Sequence, residues 1–205
     1  NSAIEACKFI DQDVTVIIRT TVPVGTNKEL KQFMESNLLE KYNVDVVSNP
    51  EFLSQGTAMK DMLSPSRIVV GVSTKQAQLI MKELYKGFDA PILFVSPESA
   101  ELIKYAANSY LAVKLSYINE IADLCDKVGA DIQQVSFGIG LDPRIGNKYL
   151  ASGVGFGGPA LPQDTKVLQN LAKLNGVDLS LVDAALKVND NRSQALINKI
   201  KTVVG

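Results

Sequence analysis

Four short runs rich in β-branched residues alternate with helical patterns in the first half of the chain, and this alternation constrains the fold most strongly. The runs cover residues 14–19, 44–48, 67–72 and 91–95. Their length and composition are typical of buried strands bounded by turns. Strands that alternate with helices favour a parallel sheet with crossover connections. We therefore predict an α/β fold for this half of the chain.

The segments around these runs complete the pattern. Helices are predicted at residues 3–9, 27–40 and 74–87, whereas residues 49–66 contain proline and glycine and predict a looser link. The chain opens with Asn1 inside a helical pattern rather than with a methionine. We therefore expect it to begin in the middle of a domain.

The strand signal disappears after Pro97, and long helical patterns replace it. This change predicts a domain boundary, with an α/β domain over residues 1–97 and an all-helical domain over residues 98–205. The predicted helices of the second domain cover residues 98–128, 131–138, 163–174 and 178–203, and a glycine-rich loop covers residues 140–158.

The first of these helices is unusually apolar in its middle. Nine consecutive uncharged residues separate Lys104 from Lys114. A helix that is apolar over most of its circumference is buried on several sides, in a large core or against a second subunit. We therefore predict a homodimer formed through residues 98–128.

Composition excludes several classes of function. The chain has 205 residues, of which 46% are hydrophobic, so it can bury a sizeable core. Lys and Arg number 21 against 22 Asp and Glu, and this balance supports neither nucleic acid nor an anionic membrane as a partner. No apolar run reaches the roughly 20 residues of a membrane span, and no signal peptide opens the chain. We expect a soluble, cytoplasmic protein.

Histidine is absent, and the two cysteines, Cys7 and Cys125, both lie in helical patterns. This residue set predicts no metal site and no disulfide framework. Any acid–base chemistry must therefore come from Asp, Glu, Lys or Tyr side chains.

Two loops follow predicted strands, where open α/β sheets place their ligands. The first is Thr20–Gly25, and the second is Asn49–Leu53, which brings the carboxylate of Glu51 to the rim of the sheet. Each also has an ordinary interpretation, as a turn with proline and glycine or as a solvated glutamate. Spacing alone favours the ordinary interpretation of both loops.

Lys104 and Asn108 are four residues apart, so they share one face of the long apolar helix. An ammonium and an amide that project together could stabilise an oxyanion. The alternative is a lysine that snorkels to solvent at the domain edge. Both interpretations remain open at this point.

The loop Gly153–Gly158 has the glycine content of a phosphate-binding loop but follows a helical pattern, so it is not a dinucleotide fingerprint. Its glycines let the backbone approach a ligand closely. Asp164 is predicted in the first turn of the next helix, as a candidate site residue or simply as a favourable charge at the helix N-terminus.

Seven segments of the chain, in this order, resemble the UDP-glucose and UDP-N-acetylmannosamine dehydrogenase family. Each segment alone is weakly specific, but seven ordered matches over nearly the whole chain are highly specific. They are TTVPVG (20–25), NPEFLSQGT (49–57), PSRIVVG (65–71), SAELIKYAAN (99–108), NEIADLCDKV (119–128), GIGLDPRIG (138–146) and GFGGPALPQDT (155–165).

The resemblance implies a NAD-dependent oxidoreductase that converts the 6-hydroxyl of a UDP-sugar to a carboxylate. In this family the alcohol becomes an aldehyde, a cysteine traps the aldehyde as a thiohemiacetal, a second hydride leaves, and water releases the uronate. The implied architecture is the later half of a Rossmann-like NAD-binding domain, followed by a helical central domain that forms the dimer.

The resemblance also implies roles for individual residues. Lys104 and Asn108 would stabilise the developing oxyanion, Asp164 would hold the catalytic water or act as base, and Glu51 and Thr21 would lie near that water. Arg144 would reach across the dimer to the UDP-sugar. The remaining implied contacts are Phe52, Leu53, Tyr149 and Gly157 to substrate, and Thr21 and Gln163 to NAD.

Three positions depart from the family motifs. Ala160 stands where the family has its catalytic cysteine, Gln163 where it has lysine, and Gln55 where it has glutamate. A methyl group cannot form a thiohemiacetal. We do not expect another cysteine to replace it, because Cys7 lies in the first predicted helix and Cys125 lies in mid-helix, where the family often has a structural cysteine. We therefore expect impaired or absent turnover. The alternative function is a non-catalytic dimerisation or regulatory module.

Two parts of the family pattern match nothing in these 205 residues. They are the opening strand with its Gly-x-Gly turn and ribose-binding acid, and the final Rossmann-like domain that holds UDP. We therefore expect a chain truncated at both ends, whose NAD binding is weak because the pyrophosphate-binding helix N-terminus is missing.

Overall fold

The computed structural model describes residues 2–38 and 42–204, and it divides the chain into two compact units, Asn1–Lys104 and Tyr105–Gly205. The predicted domain boundary at residue 97 stays a prediction. In chain order the elements are α1 (Ser2–Cys7), β1 (Val14–Ile18), α2 (Thr26–Asn37), β2 (Val44–Ser48), α3 (Ala58–Leu63), β3 (Ile68–Gly71), α4 (Lys75–Leu84), β4 (Ile92–Val95), α5 (Pro97–Val128), α6 (Ile132–Gly140), α7 (Ala160–Leu174) and α8 (Ser180–Val204).

The four strands form one sheet in the order β1-β2-β3-β4. All four lie where the β-branched runs predict them, and the α/β fold class is confirmed. The pairs β1·β2 and β3·β4 are parallel, as predicted. The pair β2·β3 is antiparallel, with Ser48 opposite Gly71, so the prediction of a parallel sheet is wrong for this pair.

The link between β2 and β3 explains this departure. A parallel pair needs a crossover connection that usually packs a helix across the sheet. Here the link contains only the six-residue α3, none of whose residues is buried. Because no helix of the link packs on the sheet, β3 returns antiparallel to β2. The sequence pattern predicted a loose link here and missed α3.

The sheet of the first unit carries a core on each face, because successive strand residues point to opposite sides. On one face Met34 of α2 packs with Val44 and Val46. On the other face Met81 of α4 packs with Val47 and Val70 in the second core. Both methionines are almost fully buried, at 1% and 0% exposure. These cores fix the strand ends from which the ligand-binding loops emerge.

A glycine sets the approach of α5 to the sheet. A Cβ atom placed on Gly71 would lie 2.7 Å from both the Cβ of Ala100 and the Cα of Pro97. Such distances are shorter than van der Waals contact, so only glycine fits at the end of β3. The close approach fixes the first turns of α5, which carry Glu101 and Lys104.

The described part of the second unit is helical and contains no strand. Its core joins Ala112 of α5 and Phe156 of the glycine-rich loop to Val182 and Leu186 of α8. The apolar stretch of α5 is only partly covered within one chain, because Tyr110 is 63% exposed. No helix in the described residues is long and apolar enough to cross a membrane.

Candidate active site

A small pocket lies in the first unit, where the loops after β1 and β2 meet the start of α5. This is the edge at which open α/β sheets bind their ligands. Thr21, predicted near the catalytic water and the cofactor, lies in its wall. The lining residues are Ile18, Thr20, Thr21, Val22, Ser48, Pro50, Glu101 and Lys104.

Lys104 places a buried ammonium at this pocket. Its side chain is only 6% exposed, and its Nζ donates to the main-chain oxygen of Glu51 at 2.7 Å and to Glu51 Oε1 at 3.1 Å. The alternative of a snorkelling lysine is therefore wrong. The other carboxylate oxygen of Glu51 accepts the N–H of Leu53 at 2.5 Å. The two oxygen atoms of Glu51 that accept these bonds orient the ammonium. One of its three N–H groups has no acceptor from these contacts.

Two cations lie close to the ring of Phe52. The guanidinium carbon of Arg67 is 3.9 Å from the ring centroid, and Lys104 Nζ is 5.4 Å from it. Burial lowers the pKa of Arg67. These cation–π contacts hold the segment that also carries Leu53, which is 37% exposed. Sequence reasoning did not single out Arg67, although it lies in the matched segment 65–71.

Glu101 is a buried carboxylate that sequence reasoning missed. It is 3% exposed and accepts the backbone N–H of Gly25 at 2.7 Å, the N–H of Asn27 at 2.9 Å and the hydroxyl of Ser48 at 3.2 Å. Its carboxylate thus satisfies orphan donors at the start of α2. This clamp fixes the Thr20–Gly25 loop against α5.

In the second unit, Asn108 and Asp164 form a hydrogen-bonded pair. Asn108 Nδ2 donates to Asp164 Oδ2 at 2.6 Å, and Asp164 is 6% exposed. The prediction that Asp164 lies in the first helical turn is wrong, because α7 begins at Ala160. Pro162 did not delay the helix, since the first turn needs no N–H donor at that position. Asp164 is therefore a buried hydrogen-bonded carboxylate rather than a terminal charge.

Ala160 is the first residue of α7 and lies one turn before Asp164, on the same face of the helix. Its side chain is exposed, and that of Gln163 is exposed as well. A methyl group at this place offers no nucleophile. Both free cysteines lie elsewhere, Cys7 in α1 and Cys125 in α5.

The loop after α6 carries the predicted substrate contacts Arg144 and Tyr149. Arg144 binds Asp142 through Nε at 3.0 Å and Nη2 at 2.6 Å, while its side chain stays 87% exposed. The hydrogen bonds from Arg144 lower the pKa of Asp142. Tyr149 has a φ of 61°, the left-handed region that non-glycine residues rarely occupy. Such strain is frequent at ligand-binding segments.

Gly157, the last predicted substrate contact, lies in the exposed loop before α7. The preceding residues of this loop are bound by Asn119, Asn189 and Arg192, which sequence reasoning did not single out. Two signals were available: Asn119 opens the matched segment 119–128, and the polar residues Asn189 and Arg192 are three residues apart in α8. In the described residues, no three His, Cys, Asp or Glu side chains group as metal ligands.

Two family descriptions match the chain. Residues 1–89 match the NAD binding domain of the UDP-glucose/GDP-mannose dehydrogenase family, and residues 98–191 match the central domain of the same family.

Characterised relatives agree with these matches. The chain is 43% identical to a UDP-glucose 6-dehydrogenase of Bacillus subtilis over 93% of its own length and 41% of that protein. It is 45% identical to a UDP-glucose 6-dehydrogenase of Rhizobium meliloti over 95% of its length and 46% of that protein. It therefore spans less than half of these relatives.

A solved structure gives the same picture. A UDP-glucose dehydrogenase from Pyrobaculum islandicum superposes with a TM-score of 0.83 at 37% identity, over 87% of this chain and 41% of that one.

Proposed function

Because the chain belongs to the UDP-glucose/GDP-mannose dehydrogenase family, we propose that it is part of a NAD-dependent oxidoreductase acting on the 6-hydroxyl of a UDP-sugar. We propose further that Ala160 prevents the covalent step of the second oxidation. The observation that carries the proposal is the buried, oriented ammonium of Lys104 at the strand-end pocket.

The pocket fits one part of NAD. The short hydroxyl side chains of Thr20 and Thr21 and the apolar Val22 suit a flat ring such as nicotinamide. The donors at the start of α2 do not suit a phosphate, because Glu101 already occupies them. NAD, when bound, accepts the hydride from C6. Thr21 would contact it in this pocket, and Gln163 stays a predicted contact of the second unit.

In this proposal, the ammonium of Lys104 stabilises negative charge on the oxygen atom of the substrate carbon that is oxidised. As a hydroxyl loses its proton and the carbon loses hydride, negative charge develops on that oxygen. A preoriented ammonium in a site shielded from water stabilises this charge strongly. Glu51 keeps Lys104 in place through two hydrogen bonds. Its carboxylate therefore acts in this proposal chiefly as the partner of Lys104.

Asp164 is the candidate proton acceptor of the second unit. Its Oδ2 accepts from Asn108, and its burial keeps water from competing for it. A carboxylate so held can accept a proton from the substrate hydroxyl or orient a water molecule. Without a thiol at Ala160, an aldehyde produced by the first oxidation would not become a thiohemiacetal. The expected product is the 6-aldehyde rather than the uronate.

A homodimer through α5 is the proposed assembly. Tyr110, Tyr117 and Leu124 recur at intervals of seven residues along α5 and are 63%, 52% and 55% exposed. Their common spacing places them on one stripe of the helix, and a large exposed apolar stripe favours a protein partner. We expect sedimentation at tens of micromolar to show a dimer, and Tyr110→Glu with Tyr117→Glu to give a monomer. A wild-type chain that stays monomeric would contradict this assembly.

A second candidate function is a non-catalytic dimerisation or regulatory module, favoured by the methyl group at Ala160 and by Gln163. For either function we propose a cytoplasmic location, since both cysteines are free, which suits a reducing compartment.

Calorimetric titration with UDP-glucose tests the proposed site in a chimera, in which this chain replaces the matching segment of the Bacillus subtilis UDP-glucose 6-dehydrogenase and that protein supplies the UDP-holding domain. We expect saturable binding to this chimera and at least about a tenfold loss in its Lys104→Met variant, since a hydrogen bond to a charged group contributes that much. The matched control is Lys127→Met, an exposed lysine of the same helix. Equal affinities of the two variants would contradict the assignment of Lys104.

A further inference from the structure

Side chains from two helices, rather than secondary structure, bind the backbone of the glycine-rich loop. The N–H of Gly153 donates to Asn119 Oδ1 of α5 at 2.8 Å, and the carbonyl of Gly153 accepts from Arg192 Nε of α8 at 3.2 Å. Buried backbone groups need partners, and a loop has none of its own. These two side chains therefore fix the start of the loop.

Asn189 of α8 fixes the other end of the same segment. Its Oδ1 accepts the N–H of Phe156 at 2.7 Å, and its Nδ2 donates to the carbonyl of Phe156 at 3.1 Å. One amide thus satisfies both polar groups of a residue, as a neighbouring strand would. Gly155 permits this approach, because its φ is +103° and a Cβ there would lie 2.6 Å from Asn189 Oδ1.

Arg192 is itself held in place. It is 8% exposed, and its Nη1 donates to Asp123 Oδ2 at 2.6 Å. A buried guanidinium is costly unless it is paired and hydrogen-bonded, so its partners define a single position for it. The side chain of Phe156 is anchored too, in the core with Ala112 and Leu186. The segment Gly153–Phe156 is therefore fixed on both its polar and its apolar side.

The two glycines that follow this segment differ from it in exposure and in hydrogen bonding. Gly157 and Gly158 are exposed, and within the described residues their N–H groups donate no hydrogen bond. Directly after them α7 begins at Ala160 and continues to Asp164. The rigid segment thus ends where open N–H donors and the candidate site of the second unit begin.

We infer that Asn189 is a positioning residue, which with Asn119 and Arg192 holds Gly153–Phe156 so that Gly157 meets the oxygen atoms of a bound sugar nucleotide. The ligand part of this inference rests on the proposed function, whereas the fixing of the loop does not. Asn189 acts through the loop and touches no reacting atom.

The test compares Asn189→Ala with Asn191→Ala. The first variant removes both hydrogen bonds to Phe156, whereas Asn191 is exposed on the same helix and loses the same amide group. Amide hydrogen exchange by NMR in this chain reports the loop, and titration of the chimera with UDP-glucose reports the ligand. Asn189→Ser serves as a second variant if Asn189→Ala does not fold.

We expect the amide of Phe156 to exchange about tenfold faster in Asn189→Ala, as for one lost hydrogen bond. We also expect UDP-glucose affinity to fall at least about fivefold on the same basis. Core amides of Ala112 and Leu186, and both readouts in Asn191→Ala, should be unchanged.

Three results would overturn the inference. Unchanged exchange at Phe156 would show that Asn189 does not fix the loop. Faster exchange of core amides to the same extent would show a general structural role, and faster loop exchange with unchanged affinity would show that the loop does not position a ligand. If the chimera with Asn189 in place bound no UDP-glucose, the proposed ligand would fail, while exchange at Phe156 would still decide whether Asn189 fixes the loop.

Discussion

Asn108 donates a 2.6 Å hydrogen bond to the buried carboxylate of Asp164, and this pair ties α5 to α7 one turn after Ala160. Because Asp164 is 6% exposed, its carboxylate has little access to water as a substitute donor. The stability of the second unit should therefore depend on the pair as a unit.

Asn108→Ala and Asp164→Ala should each lower the free energy of unfolding by about 1.5–3 kcal/mol, the range for hydrogen bonds to charged groups. In urea denaturation the double variant should cost less than the sum of the two, by at least about 0.5 kcal/mol. Asn191→Ala, on the exposed face of α8, is the control. Strict additivity would show that the two side chains do not interact.

Gly71→Ala should destabilise the first unit by about 1–3 kcal/mol, because overpacking displaces backbone. The new Cβ would lie 2.7 Å from Ala100 and Pro97 at the start of α5. Gly87→Ala is the matched control, since nothing lies within 4 Å of a Cβ there. Thermal or urea unfolding measures both variants. Equal stabilities would mean that α5 does not approach β3 so closely.

Glu101→Gln should loosen the start of α2. A glutamine side chain offers one acceptor but turns its NH2 group toward the other backbone donor, Gly25 or Asn27. An unsatisfied buried donor costs about 1–3 kcal/mol. Hydrogen exchange at Gly25 and Asn27 should accelerate, whereas Glu120→Gln on the exposed face of α5 should leave it unchanged. Unchanged exchange in Glu101→Gln would contradict the clamp.

Acid should weaken the contact of α5 with α8 through Asp123. Partial burial alone raises the pKa of Asp123, but hydrogen bonds from Arg192 and Lys199 outweigh it and hold that pKa below its usual value. A lowered folded-state pKa means stability that is present above the unfolded pKa of about 3.9 and is lost as pH falls through the folded pKa. The effect should be modest, since the side chain is 43% exposed and solvent screens it.

Urea denaturation from pH 7 down to about pH 3 measures this dependence, over the range of ordinary aspartate titration. Asp123→Asn should remove part of the acid-induced loss of stability. Asp190→Asn, an exposed aspartate of α8 without an ion pair in the described chain, should leave it unchanged. The same slope in both variants would rule out Asp123 as the source.

The four strands were predictable because β-branched runs bounded by turn residues carry a local signal. The position of Lys104 and Asn108 on one helix was predictable from its helical pattern, whereas their roles stay predictions. The antiparallel β2·β3 pair was not predictable, since pairing direction depends on whether the link packs on the sheet. Glu101 and Asn189 were missed because their partners are 76 and 33 residues away in sequence. Local sequence patterns do not report contacts over such separations.

The most direct test of the central claim is the product of a chimera, in which this chain replaces the matching segment of the Bacillus subtilis UDP-glucose 6-dehydrogenase. With Ala160 present, we predict no uronate and at most one NADH per sugar, because general acid–base groups supply only about 10²- to 10⁴-fold and cannot replace a nucleophile. Ala160→Cys should give uronate with two NADH per sugar, whereas the control Ala151→Cys should not. Uronate formed equally fast with Ala160 in place would contradict the claim that this residue occupies the nucleophile position.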